Sequence, residues 1–220
     1  MDNIRVFYNK IGRAKYISHL DVNRCMQRAL KRTHFDIWYT QGFNPHMYIT
    51  FPLPISLGFE SYAECMDLRL NESVPFETIK DTLNSVLPEG IVVTSVNTPL
   101  MKPEVISKIE YGITISVDGL NEKDLENKFN SFFSSETIMV EKKTKKGVSE
   151  IDIKPHIKLM STSPLEDGKI KIRALFTAGI MFNINPTLLI TAFGAYLDKP
   201  ITVNSVVKKR VLTQDNEDFK

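Results

Sequence analysis

Residues 4–33 read IRVFYNKIGRAKYISHLDVNRCMQRALKRT, which is a strand pattern followed by a helix pattern. Residues 4–8 alternate in the manner of a strand with one buried face. Ser18, with Asp21 three residues later, is typical of a helix N-cap. We expect the helix to continue to about Thr33. Its apolar residues recur at the spacing of a single buried face: Val22, Cys25, Met26, Ala29 and Leu30.

The remainder of the first hundred residues continues this alternation of strands and helices. Pro52 and Pro54 interrupt the next apolar run, which we therefore expect to form an edge strand or a broken one. Strand patterns follow at 61–70 and 91–96, and between them the sequence predicts a helix over 75–87. The resulting order, β-α-β-β-α-β, is that of a ferredoxin-like fold.

The second half of the chain repeats this order of elements. Strand patterns occupy 109–117, 137–141, 151–157, 170–176 and 201–212, and helix patterns occupy 120–133 and 185–197. We predict an α+β fold of tandem ferredoxin-like halves, residues 1–98 and 104–214, followed by a frayed acidic tail at 215–220. A single larger mixed sheet is the alternative, because the repeat is one of element order only.

The composition limits the kinds of site that the chain can form. There are 28 lysines and arginines against 26 acidic residues, a formal charge of only +2, so any basic surface must come from local clustering. Cys25 and Cys65 are expected to be buried, reduced thiols. The histidines and cysteines lack the spacing of a metal site, and we expect no metal and no cofactor held by this chain alone.

The N-terminal residues and the hydropathy pattern predict a cytoplasmic protein. The opening MDNIRVFYNK carries charges where a signal peptide needs an apolar region. No apolar run approaches the roughly 20 residues that span a bilayer, and we expect no membrane contact. The sequence also lacks a P-loop, a Rossmann glycine pattern and a nucleophile elbow.

A basic stripe lies opposite the apolar face of the first helix. Its residues recur at spacings of four, three and one, so they project from one side: Arg24, Arg28, Lys31 and Arg32. A bound polyanion would relieve the repulsion among these cations. The alternative is a solvated face whose acidic partners come from elsewhere in the fold.

His19 and Asp21 lie at the start of this helix, where unpaired N–H groups and the helix dipole favour an anion. His19 is a candidate phosphate or base contact, or a proton carrier near neutral pH. In the alternative interpretation, Asp21 complements the helix dipole and His19 forms only local hydrogen bonds.

The segment 41–46, QGFNPH, predicts a rigid turn, because Gly42 permits positive φ and Pro45 restricts its neighbours. Such a turn would present Phe43 and His46 for base stacking and phosphate contact; alternatively, Phe43 packs in the core. We expect this turn and the basic stripe to open onto one cleft. The complete predicted nucleic-acid-binding set is Arg13, Lys15, Arg24, Arg28, Lys31, Arg32, Gln41, Phe43, Asn44 and His46. A further basic run at 208–210, in the last strand, is expected to be solvated.

Several of these motifs together resemble a known family. They are KIG at 10–12, SHLD at 18–21, Arg24, RAL at 28–30, QGFNPH at 41–46, and LG with ES at 57–61. The chain resembles the bacterial radical-SAM-linked domain of unknown function, which occurs as a separate protein or fused behind a radical SAM enzyme with a cobalamin-binding-type region. The resemblance implies a radical SAM enzyme as partner. It implies no reaction for the domain itself.

Three functions are compatible with these features. The first is an auxiliary module that binds structured RNA, tRNA or rRNA, for a radical SAM enzyme. The second is a structural adaptor without nucleic-acid binding. The third is a metal-independent endoribonuclease, for which His19 and His46 are the candidate catalytic residues. We expect the first, with no catalytic activity of the chain itself.

Overall fold

The computed structural model describes residues 2–144 and 147–220 and shows an α+β architecture. The contacts divide the chain into two compact units, Met1–Val105 with Asp218–Lys220, and Ile106–Glu217, here called unit 1 and unit 2. Among the described residues, none of the helices combines the length and the apolar character needed to cross a bilayer.

Unit 1 contains two α-helices and an antiparallel sheet. Its elements are β1 (Asp2–Lys10), α1 (His19–Thr33), β2 (Ile49–Thr50), β3 (Glu60–Leu70), α2 (Phe76–Val86) and β4 (Ile91–Asn97). The strands lie in the order β4-β1-β3-β2, and each neighbouring pair is antiparallel. Strand β2 is only two residues long, because Pro52 and Pro54 follow closely and cannot donate ladder hydrogen bonds.

The core of unit 1 is built from alternate residues of its strands and from one stripe of each helix. Its members in β1 and α1 are Ile4, Val6, Tyr8, Val22, Met26, Ala29 and Leu30. Helix α1 begins at the predicted N-cap, where Ser18 Oγ accepts a hydrogen bond from the Asp21 N–H at 3.2 Å. The local pattern therefore predicted both the limits of α1 and its buried face.

Unit 2 also combines helices with an antiparallel sheet. Its elements are β5 (Ile106–Ser116), α3 (Glu122–Phe133), β6 (Met139–Thr144), β7 (Gly147–Asp152), β8 (Ile157–Leu165), β9 (Lys169–Thr177), α4 (Pro186–Leu197) and β10 (Thr202–Thr213). Strands β10, β5, β9 and β8 are neighbours in that order, each pair antiparallel. Strands β6 and β7 pair separately.

The structure corrects the predicted strand over 151–157. The chain instead forms a short 3₁₀ turn at Lys154–His156, because Pro155 fixes φ and has no N–H for a ladder. The strand of this region is β8, which the sequence analysis missed. Its residues are mostly polar or exposed, since β8 lies at the end of the sheet order and has little apolar alternation to detect.

The structure also corrects the predicted frayed tail. Phe219 is buried, and the Arg5 guanidinium lies 4.2 Å from the centre of its ring. The Lys220 carbonyl accepts hydrogen bonds from Arg5 Nη1 at 2.9 Å and from the Met101 N–H at 3.0 Å. Residues 218–220 are thus part of unit 1, held by contacts that acidic composition cannot reveal.

Candidate nucleic-acid interface

A groove of about 450 Å³ runs along the exposed side of α1 and is closed on its other side by the end of α2. We call it the arginine groove. Its lining residues are Asp21, Arg24, Cys25, Arg28, Arg32, Val86, Leu87 and Pro88. Arg24, Arg28 and Arg32 follow one another at intervals of four, which places them on one side of the helix. The groove therefore presents three guanidinium groups together.

The three arginines differ in how they are held. Arg24 Nη1 lies 3.1 Å from Asp21 Oδ1, in an exposed ion pair. Arg32 Nη2 donates to the Val86 carbonyl at 2.5 Å, at the C-terminal end of α2, where cations are favoured. Arg28 makes no ion pair with an acidic side chain of residues 2–144 or 147–220. It is therefore the cation of the groove with the greatest capacity to bind an added anion.

Asp21 interacts locally at the start of α1, in agreement with the second interpretation given above. Its Oδ2 accepts a hydrogen bond from the Ser18 hydroxyl at 2.7 Å. This hydrogen bond, together with the one from Arg24, holds the pKa of the Asp21 carboxyl below its usual value. Asp21 thus remains ionised at neutral pH, accepts a hydrogen bond from the N-cap residue Ser18 and neutralises part of the charge of Arg24.

The two cysteines are half-buried, and the prediction that both are buried was wrong. Cys25 lies at the edge of the core stripe of α1, where that stripe meets the arginine groove. Desolvation raises the pKa of its thiol, and the charges of Arg32 and Arg28 offset only part of this rise. The groove therefore holds a neutral thiol and not a reactive thiolate.

The loop at residues 40–46 is closed by hydrogen bonds between its two ends. The Thr40 N–H donates to the His46 carbonyl at 2.8 Å, and the His46 N–H donates to Thr40 Oγ1 at 3.1 Å. His46 Nδ1 lies 3.0 Å from that hydroxyl and 3.2 Å from the Asn44 carbonyl. Gly42 has φ of 131°, a conformation that favours glycine.

Phe43 stands at the tip of this loop and is fully exposed, with a relative accessibility of 102%. The alternative that Phe43 packs in the core is thereby excluded. Gln41 and Asn44 are exposed as well. An aromatic ring held outward on a hydrogen-bonded loop can stack on an unpaired base while the packing of the core stays unchanged.

His19 is exposed at the first position of α1, and its ring contacts the Phe51 ring edge-on at 5.2 Å. Neither His19 nor His46 is among the residues that line the arginine groove. The groove therefore offers no imidazole for acid–base catalysis. The described residues also contain no cluster of three or more His, Cys, Asp or Glu side chains suited to hold a metal ion.

The family described as "Uncharacterized protein conserved in bacteria (DUF2344)" matches residues 3–186, most of the length of the chain. The chain belongs to the DUF2344 family. No curated protein matches it significantly. Family membership thus agrees with a bacterial domain of unknown function.

Two solved structures are similar to the DUF2344 chain. A chain of the "Crystal Structure of a Cbf5-Nop10-Gar1 Complex" matches with a TM-score of 0.53 and 9% identity, over 94% of this chain and 48% of that one. The DUF2344 chain thus spans about half the length of this neighbour, and at that identity the likeness concerns the fold alone. The "Crystal Structure of an Unknown Protein from Galdieria sulphuraria" matches at 14% identity over 92% and 96% of the two chains, but its TM-score of 0.27 supports no argument.

The arginine groove contains only some of the predicted site residues of the DUF2344 chain. Arg24, Arg28 and Arg32 meet in the arginine groove. The other predicted residues are not among those that line it: Arg13, Lys15, His19, Lys31, Gln41, Phe43, Asn44 and His46. Lys15 Nζ instead lies 3.8 Å from Glu60 Oε1. The groove is therefore not the common cleft that we expected for the stripe and the turn.

Part of the arginine groove could not be recognised from the sequence. Its second wall, formed by Val86, Leu87 and Pro88, lies more than fifty residues from Arg28 along the chain. In the sequence, these residues indicate only the end of a helix. Asp21 could have been recognised as a partner of Arg24, because the two are three positions apart on one helix.

Proposed function

We propose that this chain is an auxiliary module that binds structured RNA, tRNA or rRNA, for a radical SAM enzyme of the cytoplasm. The phosphate backbone would bind in the arginine groove of unit 1. The observation that supports this most directly is the convergence of Arg24, Arg28 and Arg32 on one groove, with Arg28 lacking an acidic partner among the described residues. The chain alone has too few cysteines for an iron–sulfur cluster, so a cluster would belong to the partner.

The chemistry of the groove suits the binding of phosphate. A guanidinium presents a planar set of donors that matches two oxygens of a phosphate, and charge-assisted hydrogen bonds are stronger than neutral ones. Arg32 is already oriented by the Val86 carbonyl, which reduces the side-chain entropy lost on binding. The wall of Val86, Leu87 and Pro88 bounds the groove on the side opposite the arginines.

The exposed loop supports RNA as the source of the phosphate. Phe43 provides a stacking surface for an unpaired base, which RNA offers in its loops and bulges. We therefore assign base stacking to Phe43 and backbone contact to the arginine groove. Arg13, Lys31, Gln41 and Asn44 are exposed and would make secondary contacts.

We further propose that each unit is a ferredoxin-like domain. In unit 1 the strand order is β4-β1-β3-β2, and in unit 2 the corresponding strands follow the same order, β10-β5-β9-β8. All neighbouring pairs within each unit are antiparallel, as the split β-α-β arrangement requires. The hairpin of β6 and β7 would then be an insertion between α3 and β8.

The test of RNA binding replaces Arg28 by alanine in the full chain. With bulk tRNA as probe and fluorescence anisotropy as readout, we expect affinity to fall about tenfold, since a charge-assisted hydrogen bond contributes roughly 1.5 kcal/mol. The slope of log affinity against log salt should decrease by about one.

The control is Lys128→Ala, which removes one exposed positive charge from α3 of unit 2. It should bind tRNA as the unmodified chain does. Equal affinities and equal salt slopes for Arg28→Ala and Lys128→Ala would refute the groove as the binding site.

A further inference from the structure

The four-stranded sheet of unit 2 has one face covered by helices and one face open. Helix α3 contacts β8 and β9, and α4 packs on α3 through Phe193 against Phe129. The covered face is apolar: Ile113, Ile115, Ile170, Ile172 and Phe176 are buried there. Because side chains alternate along a strand, the intervening residues of β5 and β9 lie on the opposite face.

The open face carries a concentration of positive charge, of which the sequence analysis recognised only the run at 208–210. The four strands contain Lys108 in β5, Lys158 in β8, three basic residues in β9 and three in β10. Their one acid is Glu110. Lys108 donates to the Gln214 carbonyl and to Asn216 Oδ1, each at 2.9 Å, and is left out of the set. We define the basic sheet face by the other exposed or partly exposed cations: Lys158, Lys169, Lys171, Arg173, Lys209 and Arg210.

The register shows that these residues share one face. Arg173 pairs with Gly112, and Lys171 pairs with Thr114, so β9 places its cations beside small residues of β5. The alkyl chain of Lys209 passes over Gly112, with Cε 3.7 Å from where a Cβ would lie. Lys158 lies opposite Leu175, on the same side as the β9 cations.

The Glu110 carboxylate is paired with two arginines of unit 2. Glu110 is buried, its Oε1 accepts hydrogen bonds from Arg173 Nη2 at 2.6 Å and Nε at 3.2 Å, and Arg210 Nη1 lies 3.9 Å from Oε2. One carboxylate thus serves two arginines, and the face keeps a net positive charge. Lys158 and Lys171 are exposed and make no ion pair with a described acidic residue.

The structure also corrects the expectation that the run 208–210 is solvated. Lys208 is buried at 1% exposure, whereas Lys209 and Arg210 are exposed. A register shift between Lys208 and Arg210 places the last two on the open face. The bulge therefore adds two cations to this face where regular alternation would have allowed one.

We propose that the basic sheet face binds the phosphate backbone of base-paired nucleic acid without reading its sequence. Positive charge on a surface where cations outnumber acids complements a polyanion, although Lys169 is paired with Asp167 of the adjoining turn at 3.1 Å. The aromatic residues of these strands, Tyr111 and Phe176, are buried, so the four strands offer no ring for an unpaired base. Hydroxyl groups of Ser161 and Ser163 lie opposite Arg173 and Lys171 and can also contact a backbone.

This inference goes beyond the proposed function, because it requires no residue of unit 1. Its test is the double substitution Lys158→Ala with Lys171→Ala in the full chain. The probes are a labelled RNA hairpin and a labelled DNA hairpin of the same sequence. We expect at least roughly tenfold weaker binding of the RNA hairpin and a salt slope lower by about two, because each lysine removed no longer neutralises a phosphate. The Lys158→Arg with Lys171→Arg variant should retain binding.

The matched control is Lys123→Ala with Lys128→Ala, which removes two exposed charges from α3 of the same unit. The inference is overturned if both double variants bind alike, or if the unmodified chain binds neither hairpin. Preferential binding to vesicles of phosphatidylserine and phosphatidylcholine would also overturn it. An equal decrease in affinity for the DNA hairpin would support recognition of the backbone irrespective of the sugar.

Arg28→Ala, measured on the same hairpins, separates this inference from the proposed function. Weaker binding in Arg28→Ala alone would refute the basic sheet face and leave the arginine groove. Weaker binding in the Lys158 and Lys171 double variant alone would support the basic sheet face and refute the groove. Thermal unfolding of each variant establishes that the weaker binding does not come from unfolding, since all four lysines are exposed.

Discussion

Arg5 illustrates how one charged residue can be accommodated in the interior. It is 1% exposed, and its Nε and Nη2 donate to the two carboxylate oxygens of Asp67 at 2.7 and 2.8 Å. Its Nη1 donates to the carbonyls of Met101 and Lys220, each at 2.9 Å. Desolvation of a charge is tolerated when its donors are satisfied in this way. The alternating strand pattern of residues 4–8 could not indicate these partners.

Replacement of Arg5 by methionine should strongly destabilise the protein. The change leaves the Asp67 carboxylate without its bidentate partner, and loss of one member of a buried pair costs about 3 kcal/mol or more. The free energy of unfolding from urea titration provides the measurement. In the Arg5→Met, Asp67→Leu double variant much of this stability should return. Full stability of Arg5→Met alone would contradict the structural role of the pair.

At the scale of the element, α1 carries core residues and cations on different sides. One stripe packs in the core of unit 1, the N-terminus is capped by Ser18, and Arg28 faces the arginine groove. The core stripe and the position of Arg28 follow from the helical repeat of 3.6 residues, whereas the cap satisfies an unpaired N–H of the first turn. The same repeat explains why Arg24, Arg28 and Arg32 share the groove while Lys31, although next to Arg32, is not among its lining residues.

Substitution of Ser18 by alanine should weaken α1 and change the titration of Asp21. Loss of an N-cap hydroxyl costs about 1 kcal/mol. Because the Ser18 hydroxyl lowers the pKa of Asp21, the Asp21 pKa should rise toward its usual value, as measured by NMR titration of the carboxyl carbon.

The sign of the associated pH effect follows from linkage. Since the folded pKa of Asp21 lies below the unfolded one, its contribution to stability is present above the unfolded pKa and is lost as pH falls through the folded pKa. The acid-side loss of stability should therefore be smaller in Ser18→Ala. An unchanged Asp21 pKa in the variant would show that the hydroxyl does not control it.

At the scale of the whole molecule, the two units repeat one strand order but differ in where they carry charge. In unit 1 the cations concentrate on a helix, whereas in unit 2 they concentrate on the open face of the sheet. A formal charge of only +2 conceals both, because most of the acids lie elsewhere in the chain. Composition alone is therefore a poor guide to where this chain concentrates positive charge.

The last residues of the chain complete unit 1, and Phe219→Ala tests their contribution. We expect a loss of about 3 kcal/mol in the free energy of unfolding, because Phe219 is buried and a large-to-small change leaves a cavity. Phe43→Ala is the matched control and should leave stability nearly unchanged, since Phe43 is exposed. If the two variants had equal stability, the burial of the tail would be refuted.

Much of the secondary structure could be predicted because it depends on local patterns. The N-cap at Ser18, the end of α1 near Thr33 and the stop of α2 before Pro88 are all signals within a few residues of the boundary. Strand β8 was missed for the opposite reason. Its mostly exposed sequence carries no sustained apolar alternation, and its pairing with β9 is what identifies it as a strand.

The candidate site was predictable only in part. The helical spacing predicted that Arg24, Arg28, Lys31 and Arg32 share one side of α1, and of these the groove brings together all but Lys31. The turn predicted over 41–46 lies in a loop that hydrogen bonds between Thr40 and His46 close. For Phe43 the sequence left two alternatives open, an exposed ring and a ring packed in the core. The opposite wall of the groove and the bulge at 208–210 had no local signal.

The sequence by itself determined the features that depend on residues close together in the chain. These features are the two ends of α1, its apolar face and the spacing of its cations. These follow from backbone geometry and short-range hydrogen bonds. Only the tertiary structure decided that Val86 faces Arg32, that Lys208 is buried beside exposed Lys209, and that Phe219 packs on Arg5. Burial and electrostatic environment depend on residues distant in the chain, which come into contact only when the whole polypeptide folds.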